Sequence, residues 1–311
     1  MDLLYAFLII TAVVTVAIPV IAFICFRMAF YVPPRKTPTE EYDIPQGKIY
    51  DVYRDKMIGW IKESRALPCE ELTITSFDGL TLHGKYYEYA PGATIEIMFH
   101  GYRGTAERDL GGGVQRCFSM GHSALIVDQR CSSRSEGSVI TFGIHESRDC
   151  LEWVNLAIRR FGPDVKIILT GISMGAATVM IAAGEEPPPN VIGVLADCGY
   201  TSPKDIIKIV IRQMKLPAGP TYPFVKLGAK IFGGFDLEAA SPIEAMKRCK
   251  VPVIFFHGEA DRFVPCSMSR ENYEACAAKK RLVTVPGAGH GLSILLDPEG
   301  YKTAMKEFFR D

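Results

Sequence analysis

Six short, mostly apolar runs recur between Ala93 and Gly287: ATIEIMFHG, HSALIVDQR, VKIILTG, VIGVLADCG, VPVIFFHG and RLVTVPG. Runs of that length, apolar throughout rather than alternating, belong to strands covered on both faces. Helix-compatible segments lie between and around them, at 105–120, 145–161, 174–184, 266–278 and 299–310. Ahead of them, ELTITSFDG and LTLHGKYYEY alternate apolar and polar residues about Asp78-Gly79, the signature of an antiparallel hairpin. A hairpin feeding repeated strand–helix units predicts an α/β architecture. Its sheet has about eight strands, is mostly parallel with one antiparallel edge, and carries helices on both faces.

One interval breaks this rhythm. Some fifty residues between Cys198 and Lys250 carry no strand signal, far more than an ordinary strand-to-helix connection needs. IIKIVIRQM and FVKLGAKIF read as helices there, so an inserted helical cap is expected across 199–249, with its apolar residues facing substrate.

The chain of 311 residues is long enough for one large domain, and its 35 basic and 35 acidic residues cancel. Without a basic field, a nucleic-acid partner is not expected. Nine cysteines, an odd number with no C-x-x-C pair, fit a reducing compartment better than a disulfide scaffold.

Leu3 to Phe26 contains no charge, and as a helix would reach about 36 Å, enough to cross a bilayer core. No basic start or small-residue cleavage site marks it as a removable signal, so a retained transmembrane helix is expected. Asp2 precedes it, while Arg27, Arg35 and Lys36 follow. That asymmetry predicts a single-pass membrane protein with the C-terminal domain on the cytoplasmic side. The resulting division is an anchor over 1–30, a linker and amphipathic helix over 31–65, and the α/β domain over 66–311. Tyr53, Met57, Trp60 and Ile61 mark the apolar face of that amphipathic helix, which is expected to pack on the domain.

Gly171-Ile172-Ser173-Met174-Gly175 joins the run VKIILT to the helical AATVMIAA. A serine on a sharp strand-to-helix turn projects its hydroxyl above the sheet, and the flanking glycines permit the close packing. Near neutral pH that hydroxyl needs a base. Of His83, His100, His122, His145, His257 and His290, the last sits in the glycine-flanked loop PGAGHG after the final strand and is the candidate. The imidazole in turn needs a carboxylate to fix its tautomer. Asp261, in HGEADRFVP, has the right place and order; Glu259 and Asp197 are its rivals. Donors for an oxyanion are expected from the backbone N–H groups of Met174 and of Tyr102, in HGYRG. Gly111-Gly112-Gly113 lacks the lysine and spacing of a phosphate loop, and no residue cluster has metal-ligand spacing. Arg130, Arg134 and Glu136 read as loop-stabilising ionic residues.

HGYRG, DQRCSSRSEG, GISMG, HGEADRFVP and GAGHG, in that order from about Leu67 to the C-terminus, resemble the α/β-hydrolase family. In style they are similar to bacterial membrane-anchored members related to the prolyl-oligopeptidase and acyl-esterase branches. The family has glycine where this chain has Cys131, a departure expected to alter loop shape. The resemblance implies the fold and a Ser173–His290–Asp261 triad and leaves the substrate open. The expected activity is acyl transfer from a small-molecule acyl ester or thioester to water, with no cofactor. A serine peptidase acting on short peptides, and a non-catalytic membrane scaffold, are the alternatives.

Overall fold

The hairpin expected about Asp78-Gly79 forms the edge of the sheet in the computed structural model, which describes residues 2–33 and 41–310. For residues 2, 4, 6, 9, 10 and 12–14 it describes the backbone alone. Strand β1 (Glu70–Thr75) pairs antiparallel with β2 (Thr81–Tyr87), and β2 pairs antiparallel with β4 (Ser123–Val127). From there the sheet is parallel through β3 (Ile95–Phe99), β5 (Ile167–Ile172), β6 (Val191–Asp197), β7 (Val253–Gly258) and β8 (Lys280–Val285). The eight strands run in the order β1-β2-β4-β3-β5-β6-β7-β8. β3, β4 and β7 are buried at every residue, which accounts for their apolar runs; β8 closes the far edge and is half-buried.

Three helices precede the sheet: α1 (Asp2–Ala29), α2 (Lys48–Asp51) and α3 (Arg54–Ala66). Crossovers add α4 (Ala106–Ser119), α5 (Ile144–Phe161) and α6 (Met174–Ala183). α7 (Pro203–Gln213), α8 (Ala218–Phe232) and α9 (Pro242–Arg248) occupy the long interval between β6 and β7. The chain closes with α10 (Cys266–Ala275), α11 (Ser293–Leu296) and α12 (Pro298–Phe308). One core joins Ile97, Leu125 and Leu169 to Trp153 and Val154 of α5 and Val179 of α6. On the other face, Met98 and Ile126 pack on α4, and Leu195 and Phe256 on α12. All ten residues of α6 are buried, so this helix behaves as core.

The membrane expectation is overturned. Among the described residues no helix is long and apolar enough to cross a membrane. With the expected span over Leu3–Phe26 go the single-pass placement, the membrane partner and the cytoplasmic orientation drawn from them. One face of the last turns of α1 packs within the protein instead: Ala22 and Phe26, with Phe30 just past the helix, are buried against α8 and the loop around Phe142, while Ile21, Phe23, Ile24 and Met28 stay exposed. A Cβ on Gly228 of α8 would run into the Ala22 carbonyl, so the two helices meet backbone to backbone. The Tyr102 hydroxyl donates to the Ala29 carbonyl at 2.8 Å, and the Val32 and Ile140 amides donate to Ser138 and Phe30. Arg35, Lys36 and the centre of the expected linker lie outside the described residues.

A buried ionic group sits beneath the sheet on the α4 face. Arg116 donates to both carboxylate oxygens of Glu96 at 3.0 and 2.7 Å, and His122 and Thr170 also bond that carboxylate. Burial pushes the Glu96 carboxyl up, but Arg116 and His122 outweigh it and pull it down to about 2. A carboxyl depressed in the fold adds stability above its unfolded value of about 4.3, and that contribution drains away as pH falls towards 2. Arg116→Met, which strands the Glu96 charge, is expected to cost about 3–5 kcal/mol in urea unfolding at pH 7. The deficit narrows at pH 4, and replacing both partners by apolar residues recovers most of it.

Candidate active site

β5 ends at Ile172, and the next residue, Ser173, has its backbone turned to positive φ, 55°, before α6 begins at Met174. A non-glycine residue there is strained, and it persists because its surroundings over-determine it. The Ser173 amide donates to the Asp197 carbonyl at 2.8 Å. A Cβ on Gly175 would strike the Phe99 carbonyl, and one on Gly171 would strike Gly175, so only glycine fits on either side of the elbow. The hydroxyl thus stands at the carboxyl end of the central strands.

The loop after β8 brings His290 to it. The Ser173 hydroxyl lies 3.0 Å from His290 Nε2, and His290 Nδ1–H donates to Asp261 Oδ2 at 2.7 Å. Gly287 and Gly291 take positive φ on either side of the imidazole, as PGAGHG suggests. The Ala260 amide donates to the Ala288 carbonyl at 2.9 Å, tying the acid loop to the histidine loop. Tyr50, at the N-terminal side of the molecule, donates its hydroxyl to the His290 carbonyl at 3.0 Å.

Asp261 is held at both oxygens. Oδ1 accepts from the amides of Phe263 and Val264 at 2.8 and 2.9 Å. Oδ2 faces His290 and lies 3.3 Å from Nε2 of the fully buried His257. Burial pushes this carboxyl up, but the hydrogen bonds from His257 and His290 prevail and hold it well below the usual carboxylate range. Its rivals are occupied elsewhere: Glu259 accepts from the Thr284 hydroxyl at 2.7 Å, and Asp197 bonds Tyr301 and Ser293.

His257 is the residue that sequence reasoning passes over. Its Nε2–H also donates to the Val264 carbonyl at 2.9 Å and its Nδ1 meets Ser269 at 2.7 Å, so it braces the acid loop from below. The only sequence signal was its position at the end of an apolar strand, two residues before Glu259. Of the other histidines, His100 is buried with Nδ1–H on the Gly101 carbonyl and Nε2 accepting the Gln129 amide, which shapes the HGYRG turn. Burial pushes His100 and His145 down, towards the neutral form.

Gly101 and Tyr102 border the nucleophile; a Cβ on Gly101 would sit 3.6 Å from that of Ser173. Met174 opens α6, so its amide is one of the N–H groups with no carbonyl one turn back. The partial positive charge of a helix N-terminus therefore falls beside Ser173. Cys131, where glycine is usual in the family resembled, has φ 66°, which is the conformation a glycine would adopt without strain. Arg130 pairs with Asp149 at 2.7 Å and with Asp78, Arg134 pairs with Glu71, and Glu136 accepts the Thr81 amide, all away from Ser173. The Cys198 sulfur falls within 4.8 Å of ligand atoms of Asp261 and His290; burial holds its thiol protonated, and the His290–Asp261 hydrogen bond accounts for their closeness.

Ser173 and His290 open into a cavity of about 240 Å³. Its walls come from Tyr50, Met57, Trp60 and Ile61 on one side and from α4 on the other, and none of residues 199–249 lines it. The expectation that apolar cap residues face this space is therefore corrected: α7 and α8 spend their apolar faces on Phe26, Phe30, Phe142 and Val264.

No protein-family model matches the chain. Over 190 residues it is 26% identical to YqkD of Bacillus subtilis, a match that takes in 61% of this chain and 62% of that protein, less than two thirds of its length. The esterase Pf2001 of Pyrococcus furiosus superposes with a TM-score of 0.65 at 21% identity, over 88% of this chain and 98% of its own. The acetyl xylan esterase of Paenibacillus sp. R4 does so with a TM-score of 0.58 at 17% identity, over 86% of this chain and 96% of its own.

Proposed function

We propose that this chain, an α/β-hydrolase by fold, is a serine hydrolase that cleaves carboxylic esters or thioesters through an acyl-enzyme. The observation that carries the reading is the unbroken hydrogen-bonded line from Ser173 through His290 to Asp261, at 3.0 and 2.7 Å. With Nδ1–H committed to Asp261, the lone pair of Nε2 faces the Ser173 hydroxyl, which is the tautomer a general base requires.

Ser173 Oγ attacks the carbonyl carbon while its proton passes to His290 Nε2. The carbonyl π pair moves onto oxygen, where the Met174 and Tyr102 amides receive it; losing one such donor typically costs about 3–4 kcal/mol. Collapse of the tetrahedral adduct expels the alcohol or thiol, which takes the proton from His290. Water then gives its proton to His290 and attacks the acyl carbon, and Ser173 leaves with that proton restored. Asp261 stays ionised throughout and stabilises the transient imidazolium. The cycle calls for no cofactor.

Esterase names among the structural neighbours favour ester over amide bonds. A panel of p-nitrophenyl esters measured beside aminoacyl-p-nitroanilides tests that preference. Ester turnover is expected to dominate; faster turnover of the anilides would replace the ester reading with a peptidase one.

A further inference from the structure

Glycine is among the poorest helix formers, so three in a row inside α4 call for packing that only a bare backbone permits. A Cβ on Gly112 would overlap the Trp60 indole, 2.6 Å from Cζ3 and 2.8 Å from Cδ2. One on Gly113 would meet Met98 Sδ at 2.9 Å, and one on Gly111 would touch Ile61 Cγ1 at 3.4 Å. Gly111 and Gly112 are thus a seat for α3, while Gly113 lets α4 lie close on Met98 of β3. Polar ties fix α3 there: Gln115 donates to the Trp60 carbonyl at 3.1 Å, and the Ser64 hydroxyl donates to the Gly111 carbonyl at 3.1 Å. Met57 and Ile61 continue into a cluster with Val285 at the end of β8 and with Ala288 and Leu292 of the loop that carries His290.

Trp60, Ile61 and Met57 also line the cavity that opens at Ser173. Its volume of about 240 Å³ lies below the ~300–1,000 Å³ of sites for drug-sized ligands. The charged groups in its wall are already matched, Arg108 with Asp109 at 2.7 Å and Arg116 with Glu96 at 2.7 Å, and Asp197 bonds the Tyr301 hydroxyl. An acyl group entering here meets apolar surface, and no unmatched cation waits for a second carboxylate.

We infer that α3, seated on the α4 glycines, is the element that selects the acyl group, with Trp60 as the specificity-determining residue and short, uncharged acyl chains as the class selected. This rests on the ester-hydrolase reading above and adds the substrate class to it. Removing the indole lengthens the space available to the acyl chain. Adding a methyl at Gly112 pushes the indole the other way, into the cavity.

The test is kcat/KM for p-nitrophenyl esters from acetate to dodecanoate, read as the octanoate-to-acetate ratio, which is insensitive to the fraction of folded enzyme. Trp60→Ala is expected to raise that ratio by about tenfold or more and Gly112→Ala to lower it, in the range that pocket size alone supplies. Trp60→Leu should fall between wild type and Trp60→Ala, and it carries the test if the alanine variant does not fold. Each protein is first labelled with a small fluorophosphonate. Labelled variants whose ratios stay within about twofold of wild type overturn α3 as the selector while leaving the hydrolase intact. Failure of the folded wild type to label overturns the hydrolase reading itself.

Discussion

Ser173→Ala is expected to lower turnover of any ester substrate by about 10⁶-fold while leaving the fold in place. The Cβ is retained, so the elbow between β5 and α6 keeps its packing against Phe99 and Asp197. Only the oxygen that bonds His290 Nε2 is lost. Residual hydrolysis should still exceed the uncatalysed rate, because the helix N-terminus at Met174 and the cavity survive the change. Stopped-assay kinetics on purified protein, with circular dichroism as the control for folding, measure both. A folded variant retaining more than a few per cent of the wild-type rate would remove Ser173 from the reaction.

Asp261→Asn is expected to cost about 10⁴-fold in kcat, through geometry rather than charge alone. The Phe263 and Val264 amides both donate to Oδ1, so an asparagine must set its carbonyl oxygen there and turn its NH₂ towards His257 and His290. An NH₂ facing Nδ1 forces the proton onto Nε2, where it confronts the Ser173 hydroxyl, and the base is lost. The substitution should also change the response to acid. Because the native carboxyl is held below its ordinary range, it stabilises the fold above pH ~3.9 and forfeits that contribution as pH falls. Urea midpoints taken from pH 7 to pH 3 should therefore fall more steeply for wild type than for the variant. Equal slopes would mean that Asp261 is not the ionised partner of His290.

The sheet was legible from sequence because each of its signals is local. Apolar runs such as VPVIFF name strands buried on both faces, and Asp78-Gly79 names the hairpin. The placement of Ser173, Asp261 and His290 followed as well, since each stands on the loop after a strand whose partners topology dictates. What escaped was decided by partners far along the chain. The apolar stretch Leu3–Phe26 does not reveal by itself which of its residues the rest of the chain will cover; the burial of Ala22 and Phe26 against α8 depends on Gly228, about two hundred residues away. The wall of the cavity was misplaced for a similar reason. The α7–α8 insertion is conspicuous by its length, whereas the seating of Trp60 on Gly112 joins two segments whose meaning appears only when they are brought together. His257 reads as an ordinary end to a strand until the Asp261 carboxylate is found 3.3 Å from its ring.

The most direct measurement is peptide mapping by mass spectrometry after treatment of the native protein with a fluorophosphonate. A single phosphonylated site at Ser173, absent in Ser173→Ala and slowed by orders of magnitude in His290→Ala, is the predicted result. A folded protein that takes up no label, or that takes it up at another residue with Ser173 unmodified, would contradict the account.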